Sequence, residues 1–194
     1  MLMFKDIIIK MVTYAEALTQ TMTALGRRDN ILFVGQSVAY PGNALFPTLA
    51  GVPAEKRIEL PVAEEMQLGL SIGLAMTGKT VISIFPRMDF LICAMNQLVN
   101  HLDKCLYPLQ GRLIIRTCVG STTPMYPGIQ HCGNYTKGLR ALLKNLYIRE
   151  LTSIESIAVE YHYAVDWPDR YHPEPTRASI LIEIGDLYGM VRQE

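Results

Sequence analysis

Apolar residues along this chain fall into two arrangements that alternate, short unbroken β-branched runs and longer stretches at helical spacing. Thr13-Tyr14-Ala15-Glu16 has the form of a capping box, and predicts a helix from Thr13 to about Leu25, just before Gly26. Ile31–Val34 reads as a strand ending at Gly35. The segment from Gln36 to Lys56, broken by prolines and glycines, is too long for a mere connection and predicts a functional or partner-covering loop. Ile58–Leu60 is a short extended piece stopped by Pro61. Ala63-Glu64-Glu65 then opens a helix in which Met66, Leu70 and Leu74 recur, with small residues between them that allow close approach to a neighbour. Gly78 ends it. Thr80–Phe85 is a strand of the kind buried on both faces of a parallel sheet, closed by Pro86. A Met- and Leu-rich helix follows from Met88 to Leu102, with Asp89 expected as its N-cap.

Arg112–Arg116 is another buried-type strand, and the Gly/Pro loop Thr117–Ile129 leads to Gln130-His131. A helix over Tyr135–Leu143, a strand over Tyr147–Glu150, a capped helix from Ser153 to about Val165, a Pro-rich turn through Trp167 and Pro175, and a last strand over Ile180–Ile184 complete the pattern. This alternation predicts an α/β fold with a mostly parallel sheet and helices on both faces.

Composition narrows the picture. With 194 residues, 49% of them hydrophobic, the chain suits one domain with a real core. Basic and acidic residues balance at 18 each, which removes the electrostatic argument for nucleic acid or an anionic membrane. Cys93, Cys105, Cys118 and Cys132 are scattered without ligand spacing and read as buried free thiols in a reducing, cytoplasmic setting. Met1–Lys10 makes a poor signal peptide, and the longest apolar candidate for a membrane span, Leu68–Met76, carries glycines and suits a packed helix.

Glu64 lies in a first helical turn just after a strand, where open α/β sheets bind ligands. By position alone, Glu64 and Glu65 could simply favour the positive end of the helix dipole. Phe90 could be ordinary core, and His131, at the end of a Gly/Pro loop, could act as acid, base or donor near neutral pH. His101, His162 and His172 have no such setting.

Together, P-V-A-E-E at 61–65, the glycine-bearing helix, G-K-T-V-I-S-I-F at 78–85, Asp89-Phe90 and A-M-N-Q-L-V-N-H-L-D-K at 94–104 resemble the pyrimidine-binding domain of thiamine-diphosphate enzymes. The form they are most similar to is the β subunit of 2-oxoacid dehydrogenase E1 components and related transketolase-like proteins. Thr13–Leu18, Phe33-Val34-Gly35, Arg116, Gln130-His131 and IEIGDLYG at 182–189 fall in the same order. The resemblance implies a pyrimidine-type domain over 12–194 preceded by an extension over 1–11. It implies that Glu64 bonds the pyrimidine ring nitrogen, that Phe90 packs on that ring with Val62 flanking it, and that His131 faces the substrate. Glu65 would fall on the solvent side.

Two departures accompany the resemblance. Where E1 β subunits carry acids after the first strand's glycine, this chain has Gln36-Ser37, and it is expected to lack their C-terminal domain. Gly185-Asp186-Leu187 does not make the G-D-G and downstream Asn that hold the cofactor's diphosphate through Mg²⁺. The implied function is therefore the pyrimidine-binding subunit of a two-component thiamine-diphosphate enzyme acting on a 2-oxo acid or ketose. It would share its cofactor with an E1 α-like partner that holds the Mg²⁺, in a heterotetramer with self-association across a two-fold axis. The glycine-bearing helix and the Met88–Leu102 helix are the faces expected to be buried in that assembly. The alternatives are a non-catalytic scaffold or regulator of the same fold, and a split sulfopyruvate-type decarboxylase subunit.

Overall fold

The computed structural model describes residues 13–105, 108–166 and 177–190. The expectations for the extension over 1–11 and for the turn containing Trp167 and His172 lie outside the described residues. Helix α1 (Tyr14–Gly26) starts with a complete capping box: Thr13 Oγ1 accepts from the Glu16 amide at 3.1 Å, and Glu16 Oε2 accepts from the Thr13 amide at 2.9 Å. Six strands follow, β1 (Ile31–Gly35), β2 (Arg57–Glu59), β3 (Thr80–Phe85), β4 (Arg112–Val119), β5 (Tyr147–Leu151) and β6 (Ala178–Ile184). They form one all-parallel sheet in the order β2-β1-β3-β4-β6-β5.

Every residue of β3 is buried, as its uniformly apolar run requires of a strand covered on both faces. The two-residue period then divides the core. Phe33, Ile82, Ile114 and Leu181 pack with α1 and with α5 (Ile154–Asp166), while Val34, Val81, Ile115 and Ile180 pack with the opposite layer. That layer holds α2 (Glu64–Met76), the helical run 88–103 and α4 (Thr136–Leu142).

Some local expectations are corrected. The run after β3 is not one α-helix: α3 (Met88–Leu91) passes into a 3₁₀ turn at Ile92–Ala94 and then a π-helix over Gln97–Asp103. Both ends of the π-helical part are fixed by side chains. Glu65 Oε1 accepts from Gln97 Nε2 at 3.2 Å, and Asp103 Oδ1 accepts from the Lys144 and Asn145 amides at 2.9 and 2.8 Å, so the winding adjusts between set points. Asp89 is not the N-cap, a position held by Arg87; it lies inside the first turn and bonds to another segment. β4 runs through Thr117 to Val119, and the last strand starts at Ala178, because both stay paired with each other at those residues. The burial expected of the four cysteine thiols is met only at Cys118; Cys93 is exposed, and Cys105 and Cys132 are half-buried.

α2 forms where predicted, but its buried line is Gln67, Leu68, Ser71 and Ala75. Met66 and Leu70 are 47% and 40% exposed. The reason is a buried polar knot. Gln67 Nε2 donates to the Ile84 carbonyl at 2.9 Å and to Ser83 Oγ at 3.2 Å, and Ser71 Oγ lies 3.0 Å from Ser83 Oγ. Hydrophobic periodicity alone would have turned this helix the other way.

Candidate active site

The predicted site residues all leave the carboxyl edge of the sheet. Gln36 follows β1, Val62 and Glu64 follow β2, Phe90 follows β3 and His131 follows β4. β2, β1, β3 and β4 are successive neighbours, and the chain leaves β1 toward one side and returns to the other side for β3. Ligand crevices in open α/β sheets form at such a reversal.

Within this edge the structure makes two pairs. In the first, Gln36 Nε2 donates to Glu64 Oε1 at 3.0 Å, so the amide standing where an acid was expected bonds the glutamate directly. Glu64 is half-buried, and Val62, two residues ahead, is 80% exposed. In the second pair the rings of Phe90 and His131 meet edge to face, with centroids 5.6 Å apart and planes at 81°. Phe90 also edges a cavity of about 740 Å³ lined by Asp89, Ile92, Cys93, Ile129, Gln130 and Tyr135 as well. Glu64 does not line that cavity. Glu65 is not on the solvent side as expected: it is half-buried, and its Oε1 accepts from Asn96 Nδ2 at 2.7 Å and from Gln97.

The loop carrying His131 is fastened at both ends. At its start, Asp186 Oδ1 accepts from Ser121 Oγ at 2.6 Å and from the Thr122 amide at 3.2 Å. At its end, Asp89 accepts from the Gly133 amide at 3.2 Å and from the Tyr135 hydroxyl at 3.1 Å, a bond that raises the tyrosine's pKa. Between them the loop folds back so closely that a Cβ on Gly120 would stand 1.9 Å from the His131 carbonyl oxygen. His131 Nδ1 is buried without a hydrogen-bond partner in this structure.

Behind the loop lies a charged cluster that sequence reasoning placed only in part. Arg116 is fully buried and bonds Glu183 and Thr48, while Glu183 also takes the Tyr188 hydroxyl. Burial works against the charge on Arg116, but Glu183 more than restores it, so its pKa is raised. Burial pushes the Tyr188 and Tyr161 hydroxyls well above their ordinary range. A charged residue within the interior of each of two mainly apolar strands was the available signal for this pair. Among the described residues no group of three or more His, Cys, Asp or Glu side chains is placed to hold a metal ion, and no helix is long and apolar enough to cross a membrane.

This architecture, an all-parallel α/β sheet with the candidate residues at neighbouring strand ends, is the fold of transketolase-like proteins. Solved structures share the fold. One is described as a split gene transketolase in an inactive β4 tetramer, matched over 89% of this chain and 51% of that one, with a TM-score of 0.59 and 16% identity. Another, from Mycobacterium smegmatis, is assigned as a candidate thiamin diphosphate-dependent enzyme and is matched over 92% of this chain and 32% of that one, with a TM-score of 0.62 and 18% identity.

In sequence the chain is similar to the pyruvate dehydrogenase E1 component subunit beta of Cyanidium caldarium, 32% identical over 94 residues, 47% of this chain and 29% of that protein. It is also similar to the 2-oxoisovalerate dehydrogenase subunit beta of Bacillus subtilis (strain 168), 30% identical over 104 residues, 51% of this chain and 32% of that protein. The matches span about a third of the length of these relatives. No family model matches the chain.

Proposed function

We propose that this chain is the pyrimidine-binding half of a two-component thiamine-diphosphate enzyme acting next to the carbonyl of a 2-oxo acid or ketose. The observation that carries the reading is the Phe90–His131 pair, with Phe90 at the rim of an apolar cavity, on the same strand edge as the Gln36–Glu64 pair. The fit to the cofactor rests on three features. Phe90 offers an aromatic ring to a flat heterocycle, His131 packs against that ring from the end of its loop, and Glu64 spends only Oε1 on a described neighbour.

Bound thiamine diphosphate would supply the nucleophile that adds to the ketone carbonyl. The protein's residues hold and orient. Glu64 would meet the pyrimidine ring nitrogen and hold the proton there, with Gln36 fixing its other oxygen. Phe90 and the exposed Val62 would bracket the ring, and His131 would donate to, or take a proton from, the reacting oxygen. The diphosphate and its Mg²⁺ fall to an E1 α-like partner. The Met66 and Leu70 face of α2 and the helical run 88–103 are the surfaces offered to that partner and to a second copy of this chain across a two-fold axis. A neighbour described as an inactive tetramer of one split subunit supports dependence on a partner.

The test is calorimetric titration of Mg²⁺ and thiamine diphosphate into the chain alone and into its mixture with a diphosphate-domain subunit. Binding in the mixture, with turnover lowered on the order of 10²-fold or more by Glu64→Gln, is the expected outcome. A complex that forms and binds no cofactor would leave a scaffold.

A further inference from the structure

Glu59 ends β2, and its carboxylate takes three consecutive backbone N–H groups from the turn leaving β1. Ser37 N donates to Oε1 at 2.6 Å, and Val38 N and Ala39 N donate to Oε2 at 2.8 and 2.7 Å. Ser37 stands at φ +52°, the left-handed bend that swings successive amides toward one point. A concavity of converging amides is an anion site, and here the anion belongs to the chain itself.

The turn is braced from its other side as well. Asn43 Nδ2 donates to the Gln36 carbonyl at 3.3 Å, and Arg57 Nη1 donates to the Val38 carbonyl at 3.4 Å. The residue immediately before this nest is Gln36, whose side chain reaches Glu64. Residues 36–39 thus bridge two glutamates of one short segment, Glu59 at the end of a strand and Glu64 at the start of a helix.

We propose that Glu59 is a positioning residue of the site: by filling the nest it fixes the turn that aims Gln36 at Glu64, and so sets the direction of the Glu64 carboxyl. The inference rests on the reading of Glu64 given above. Because Gln36 occupies Oε1, Oε2 is the oxygen presented to a ligand. Because the nest is filled, the turn after β1 is not where a cofactor's phosphates are held. Gln at position 59 offers one acceptor oxygen and an NH₂ group that faces amide donors, so it can satisfy only part of the nest.

The test uses Glu59→Ala and Glu59→Gln in the full chain, followed by amide NMR and hydrogen exchange without any cofactor. In Glu59→Ala the Ser37, Val38 and Ala39 amides are expected to shift upfield and lose protection. The Gln36 side-chain amide should move to its free position, and sodium formate, but not chloride, should restore all of these signals. Glu59→Gln should shift the same amides by less, and it serves as the readout if the alanine variant does not fold.

Alongside the partner subunit, the expected fall in turnover is on the order of 10²-fold, with recovery by formate, the size expected when a reacting group is misplaced by about an ångström. Unchanged 37–39 amides, an unmoved Gln36 side chain, or no response to formate in folded Glu59→Ala would each overturn the proposal. If the wild-type complex binds no thiamine diphosphate, the functional reading fails, whereas the NMR outcome still decides what Glu59 holds.

Discussion

Arg116 on β4 and Glu183 on β6 lie side by side with no exposure to solvent, Nε to Oε1 at 2.5 Å, and Thr48 accepts from the arginine's Nη2 at 2.8 Å. The two desolvated charges meet each other and nearby hydroxyls, with Arg116 Nη1 alone left without a hydrogen-bond partner in this structure. Glu183 stands three residues before Asp186, which holds the start of the His131 loop. The pair therefore anchors the strand end from which that loop is tied.

Removing one partner strands the other charge in the core. Glu183→Gln or Arg116→Met is expected to lower the unfolding free energy by about 3–5 kcal/mol, measured by urea denaturation. An Arg116→Met, Glu183→Leu double variant should recover part of the loss. It will not recover all of it, since Thr48, Tyr161 and Tyr188 lose their partners. A single variant as stable as wild type would show that the pair contributes nothing.

Asp89 closes the other end of the loop. Asp89→Ala removes the acceptor for both Gly133 and the solvent-exposed Tyr135 hydroxyl, and the part-buried Gly133 bond is worth about 1 kcal/mol. Exchange of the Gly133 amide should quicken by roughly tenfold while β3 amides are unaffected. Asp89→Asn, which keeps one acceptor, should show a smaller effect. Equal protection in all three proteins would count against the clamp.

Burial pushes the Cys118 thiol up to about 12, with Glu183 adding to the effect. The folded value is raised, so the folded state keeps a proton that the unfolded chain releases above about pH 8.5. Stability from this group is whole below that pH and falls as pH rises toward about 12. The slope is at most about 1.4 kcal/mol per pH unit. Cys118→Ala should flatten the alkaline fall in a stability–pH curve relative to wild type. At pH 8, iodoacetamide should label the exposed Cys93 and spare Cys118.

Gln36→Glu would place a second carboxyl at hydrogen-bond distance from Glu64. Two carboxyls that close share a proton rather than ionise together. One carboxyl of the pair should hold its proton to higher pH than an ordinary carboxylate, seen as a new step in an NMR titration of side-chain carboxyl carbons. Absence of that step would mean the two side chains move apart.

The layered α/β fold was legible because local signals agreed: Thr80–Phe85 is apolar throughout, and the Thr13 capping box starts a helix where the chain needs one. Helix α2 was legible as a helix but not in its facing. Its orientation depends on Gln67 and Ser71 meeting Ser83, and hydrophobic spacing is blind to polar bonds inside a core. Asp89 had the right residue type for a cap, yet its partners are Gly133 and Tyr135, more than forty residues away in the chain. Glu59 carried no local signal, because the three amides it binds converge only once β1 and β2 pair.

The knot at Gln67, Ser71 and Ser83 works as a registration peg between helix and sheet. A slide of one residue or a rotation by one position would break the bonds of Gln67 and Ser71 to the sheet, so the observed azimuth of α2 is favoured. The stripe of Met66, Leu70 and Gly73 thus points outward at an angle dictated by a serine inside the sheet. Mutational tolerance at this surface should accordingly be set from within. An apolar replacement at Ser83, a residue no partner could touch, frees the helix to turn its greasier side inward and alters what the molecule presents to its surroundings.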